Sequence, residues 1–131
     1  VTIHVEVIPH ESQRYSTCGD WTFEGDSLKI FVSDMGDEKS NMLVAVHEIV
    51  ESLLCRWAGI QQKDVDVFDI EFEKNRTDES LEEPGDSPDA PYNVQHRIAD
   101  TVERLMALHV GVHWFDHDAK VNALFEEKET L

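Results

Sequence analysis

A chain of 131 residues with 40% apolar side chains can bury one core without staples, so a single domain over residues 1–131 is expected. Its formal net charge of −17 disfavours direct binding to nucleic acid or to an anionic membrane, since both need clustered Lys and Arg. Two cysteines, Cys18 and Cys55, make no disulfide framework, and no cationic leader or apolar run of about 18 residues stands out, which makes a reducing cytoplasm the expected setting.

Residues 1–34 read as strands. Val1, Ile3, Val5 and Val7 alternate with polar neighbours up to Pro9, the pattern of a half-buried strand. Trp21-Thr22-Phe23 and Leu28 to Val32 form two more, joined by Glu24-Gly25-Asp26-Ser27 as a hairpin turn. These runs predict a small antiparallel sheet of about three strands. Met35-Gly36-Asp37 breaks the pattern, and Ser40 or Asn41 stands where a cap would open a long helix over 40–58, with Gly59 as its stop.

From Met42 to Trp57 that helix carries only five polar side chains, His47, Glu48, Glu51, Ser52 and Arg56. At about 100° per residue, His47 and Glu51 share one side of the helix, one turn apart. A buried carboxylate with no partner would cost several kcal/mol, so a metal ion, an ion pair or a wet cleft must lie against this face. Side chains at i and i+4 can share a metal, and the residue after the first ligand leans toward the water beside it, which gives Glu48 the place of general base. In a purely structural arrangement, His47, Glu51 and Arg56 would neutralise one another inside the core.

Val65 to Phe72 fits helical spacing and predicts a short helix bearing Asp69. Residues 75–91 are acidic and rich in turn formers, and read as a mobile loop that connects two site-bearing helices or, in an enzyme, covers the site. A second long helix is expected over 92–110, with Val94, Ile98, Val102 and Leu105 as its apolar face. His96, Asp100 and Glu103 share the opposite face beside Ala99 and Ala107, whose small side chains permit close approach of another element. His96 is the candidate third metal ligand, with Asp69 and Glu103 in reserve. Trp114 and Phe115 read as core, His113 and His117 as packing or surface residues, and 118–127 as a terminal helix with Val121, Leu124 and Phe125 inward. The fold class is α+β, the sheet packed on two long helices, a short one and a C-terminal one.

His47-Glu48-Ile49-Val50-Glu51 resembles the zincin helix motif His-Glu-x-x-His with Glu51 in place of the second His. The order of sheet, metal helix and later helix is also similar to a minimal zincin-like metalloprotein. The resemblance implies His47 as ligand, Glu48 as base, and a divalent ion, zinc first, with Glu51 making manganese or iron credible. Leu43 to Cys55, Phe68-Asp69, Glu83-Pro84-Gly85-Asp86, Ala90-Pro91-Tyr92 and Gln95-His96 with Glu103 resemble a group of small uncharacterised bacterial and phage proteins, which implies an origin but no reaction.

Three functions follow. The first is a metal-binding, zincin-like hydrolase holding its ion with His47, Glu51 and His96 and acting on a peptide or protein. The second is a phage-type acidic inhibitor or nucleic-acid mimic, without catalysis, that works through its carboxylate surface. The third is a magnesium-dependent enzyme, because Glu48-x-x-Glu51 with Asp100-x-x-Glu103 resembles the acidic pairs of helical nucleotide pyrophosphohydrolases.

Overall fold

The computed structural model describes residues 1–77 and 82–126. Three strands, β1 (Thr2–Ile8), β2 (Gly19–Glu24) and β3 (Ser27–Ser33), precede α1 (Glu38–Trp57), α2 (Gln62–Lys74), α3 (Asn93–His109) and α4 (Trp114–Ala123). The architecture is α+β, a three-stranded sheet packed against four helices.

The sheet is mixed rather than antiparallel throughout. β2 and β3 form the expected hairpin, Trp21 opposite Ile30, turning at Gly25, whose φ of 61° suits a two-residue turn. β1 instead runs parallel to β3, with Val5 opposite Ile30, in the order β1-β3-β2. The reason is that residues 9–18 carry the chain past the neighbouring position, and the returning strand β3 fills it. β3 is therefore central, and its Leu28, Ile30 and Val32 are completely buried.

β1 lies at the edge, and α1 crosses β2 and β3 rather than β1. Its apolar alternation is consequently only partly covered. Val5 packs on the core while Ile3 and Val7 remain exposed.

α1 opens one turn earlier than the spacing suggests. Asp37, rather than Ser40 or Asn41, is the cap, its Oδ1 accepting from the Ser40 N–H at 3.0 Å. One side of α1 presses Val44, Ala45 and Cys55 into the core shared with Trp21 and β3. The other side meets α3, which runs antiparallel to it, as shown by Lys39 Nζ donating to the carbonyl of Val110 at 3.1 Å.

α3 turns the opposite way from its hydrophobic pattern. Val94, Ile98 and Leu105 are 61%, 45% and 63% exposed, whereas His96, Ala99, Glu103 and Ala107 are buried against α1. The polar face is inward because α1 presents His47 and Glu51 there, and only an ionisable partner satisfies them.

Over its described part the segment 75–91 carries local structure of its own. Pro84–Asp86 forms a 3-10 turn, Gly85 and Ala90 are buried, and Asn93 Nδ2 donates to the Gly85 carbonyl at 2.9 Å. α4 begins at Trp114 rather than 118, with the His113 ring accepting from the Phe115 N–H. Val121 and Leu124 are buried as expected, while Phe115 and Phe125 are exposed. The helix ends at Ala123 with Leu124 as its C-cap, short of the expected extent to 127, a position that lies outside the described residues.

Candidate metal centre

Five of the six side chains singled out as catalytic group, ligands or reserve ligands come from two facing helices, Asp69 on α2 being the sixth. His47, Glu48 and Glu51 project from α1, and His96 and Glu103 project toward them from α3. Glu51 is the hub. Its Oε2 accepts from His47 Nε2 at 3.2 Å and from His96 Nδ1 at 2.9 Å, and its Oε1 accepts from the indole N–H of Trp21 at 3.0 Å. All three of His47, Glu51 and His96 are buried.

From that hub a line of hydrogen bonds runs in both directions. Toward one side, His96 Nε2 lies 3.2 Å from Asp86 Oδ1 on the 3-10 turn. Toward the other, His47 Nδ1 lies 2.9 Å from Glu103 Oε1, and Glu103 Oε2 lies 2.6 Å from His117 Nε2. His117 Nδ1 then sits 3.0 Å from the Ser40 hydroxyl. The line alternates carboxylate and imidazole from the partly exposed Asp86 to the first turn of α1.

Charge follows from this geometry. Burial opposes protonation of His47, but Glu103, Glu51 and Glu48 outweigh it and hold the imidazole protonated well above its ordinary range. Burial likewise opposes protonation of His96, yet Asp86 and Glu51 raise it to about 10. Burial would raise the Glu51 carboxyl, and the two imidazoles override it and bring it down to about 2. Glu103 is lowered for the same reason, by His117 and His47 against its burial. Without metal, protons hold this cluster together.

Glu48 differs from its neighbours. It is buried, its nearest cation is His47 Nε2 at 3.9 Å, and it makes no hydrogen bond among the described residues. Burial and the Glu51 charge push its carboxyl well above the usual range. The backbone of Gly19 makes room for it, since a Cβ there would come within 2.8 Å of Glu48 Cγ. A Cβ at Gly85 would overlap the His96 ring in the same way, so two glycines press the walls of the site against its side chains.

The cluster lines a cavity of about 630 Å³ bounded by the segment Tyr15–Trp21, α1, α2, the 3-10 turn and α3. Asp69 reaches this cavity, but its oxygens accept from Tyr15 and Tyr92 rather than joining the imidazoles. Asp100, on the same face of α3, pairs with Arg104 at 3.3 Å. Arg56 does not neutralise the cluster; it pairs with Asp26 at 2.6 Å on the surface.

Several participants were not visible as such in the sequence. His117 is 1% exposed and part of the line, not a surface or packing residue. Its i+4 spacing from His113 pointed to nothing, because His113 caps α4 instead. Asp86 and Glu83 were hidden inside a stretch that composition marks as loop, although the turn-forming Pro84-Gly85-Asp86 was a signal that this part has a defined shape. Trp21 carried no signal beyond its apolar setting.

Compared with protein-family models, curated proteins and solved structures, the chain matches none. The donor chemistry must therefore speak alone. One ligand atom each from His47, Glu51 and His96 lies within 4.8 Å of the others, and two imidazoles with one carboxylate form a donor set used by catalytic zinc. Each donor also has an outer partner. Glu103 steadies His47, Asp86 steadies His96 and Trp21 steadies Glu51, the arrangement that fixes ligand orientation around a metal. The residues fit a divalent ion.

Proposed function

We propose that this protein is a metal-dependent hydrolase that holds one divalent ion, zinc by preference, between His47, Glu51 and His96. The observation that carries the reading is the convergence of three buried donors, each tied from behind by a separate hydrogen bond. When bound, the ion supplies Lewis-acid polarisation of a carbonyl and lowers the pKa of a water beside it.

The chain's own groups supply the rest. Glu48, which lines the cavity, would take the proton from that water and return it to the leaving group, its carboxyl being held above the usual range by burial and by the Glu51 charge. Glu103 and His117 keep His47 presenting Nε2 to the ion, and the buried Tyr92 ring packs edge-on against His96. The cavity wall carries more carboxylates than basic groups, so a peptide with positive side chains is a better match than a phosphate-bearing substrate.

The test is elemental analysis of protein purified without a metal-affinity tag, followed by a peptide-cleavage screen. Near-stoichiometric metal is expected in the wild type and its loss in His47→Ala and His96→Ala. Glu48→Gln should keep the metal while turnover falls by about 10²–10⁴-fold. Wild-type protein that stays metal-free after incubation with zinc and manganese would end this reading.

A further inference from the structure

We infer that the site is built for two divalent ions, the second held by Glu83, Asp86 and the outward nitrogen of His96, with Glu48 lining the same cavity. This rests on the metal reading of His47, Glu51 and His96 and extends it. One ligand atom each from Glu83, Asp86 and His96 lies within 4.8 Å of the others, a second donor set beside the first.

The geometry of this second set is fixed by the backbone. The 3-10 turn is pressed onto the His96 ring at Gly85, where no side chain fits, and Asn93 pins the turn by its bond to the Gly85 carbonyl. Asp86 is oriented in turn, its Oδ2 accepting from the Glu83 N–H at 3.2 Å while Oδ1 points at His96 Nε2. His96 thus has a carboxylate at each nitrogen, Glu51 at Nδ1 and Asp86 at Nε2.

Independent of that donor set, Glu48 is 8% exposed with no hydrogen-bond partner among the described residues, and it lines the same cavity as Glu83. Its one ion pair, with His47 Nε2, is long at 3.9 Å, and a cation is the natural complement of a carboxylate so weakly paired. Charge within the cluster supports the same conclusion. Glu48, Glu51, Glu83, Asp86 and Glu103 supply five carboxylates, so with neutral imidazoles a single divalent ion leaves three negative charges in a largely buried space, and a second leaves one. To offer a nitrogen to each ion, His96 would lose both ring protons to solvent, which would bring the remaining charge to two negatives.

The experiment is native mass spectrometry of the chelator-treated full chain titrated with zinc, beside the electron paramagnetic resonance of the manganese-loaded protein. Two ions per chain are expected in the wild type, with the manganese signal broadened by coupling between neighbouring ions. Glu83→Gln and Asp86→Asn should each bind a single ion and show the uncoupled six-line manganese signal, with circular dichroism confirming that they are folded. A wild type that saturates at one ion would overturn the second site and leave the first intact. A wild type that binds none would overturn both. Two ions retained in both variants would place the second elsewhere and overturn the assignment to Glu83 and Asp86.

Discussion

Glu51 shows how much one carboxylate can carry. It accepts from Trp21, His47 and His96 at once, and the two imidazoles bring its carboxyl down to about 2 against the effect of its burial. Glu51→Gln keeps the shape but replaces one acceptor oxygen with a donor, leaving two imidazole N–H groups aimed at an amide. Removing one partner from a buried charged pair costs about 3–5 kcal/mol, so metal-free Glu51→Gln should melt well below the wild type in calorimetry. An unchanged midpoint would mean that the two imidazoles are neutral and ask little of Glu51.

At the level of elements, α3 decides how the molecule is put together. Its inward face pairs His96 and Glu103 with two alanines, and its outward face carries Val94, Ile98 and Leu105. Ile98→Glu should therefore change stability by no more than about 0.5 kcal/mol, while Ala99→Leu, which forces a larger side chain against α1, should cost about 1–3 kcal/mol. Chemical denaturation of the two variants checks this, and the reverse ranking would mean that α3 is rotated. The sequence made α1 readable because His47 and Glu51 sit within a long apolar run, where they stand out as needing partners. The direction of α3 was not readable, since periodicity reports which residues share a face but not which face a polar neighbour will claim. The parallel pairing of β1 was equally hidden, because alternation sets the side-chain faces of a strand and leaves its neighbour open. His117 and Asp86 became site residues only through long-range packing, which no local spacing encodes.

For the whole molecule, protons hold the cluster that the proposed ion would occupy. His96 has its pKa raised from 6.5 to about 10, and His47 is raised as well, so the stability they give the metal-free fold is complete below about pH 6.5 and is lost as pH rises toward 10. Glu83 and Asp69, raised by burial to about 7, act in the same direction from their ordinary values of 4.5 and 3.8 upward. Glu51 works oppositely, its contribution present above about pH 4.5 and lost as pH falls toward 2. The chelated protein should accordingly have its highest melting point in weak acid and lose stability steadily toward pH 10, while zinc should raise the midpoint most at the alkaline end. A chelated protein whose melting point rises between pH 7 and 10 would contradict the proton-held cluster.

The two faces of α1 are unlike in kind, and they need not fail together. Toward the sheet it is sealed by Val44, Ala45 and Cys55 against Trp21 and β3, but toward α3 the buried contact is made by Ala99, Ala107 and the ionised line. Small side chains bury little apolar area, so in chelated protein α3 is free to lift away while the sheet and α1 stay joined. Amide hydrogens along Ala99–Ala107 should then exchange with deuterium faster than those of β3, and bound zinc should slow the α3 set selectively. Equal protection of both segments in the chelated protein would instead mean that they open in one cooperative step.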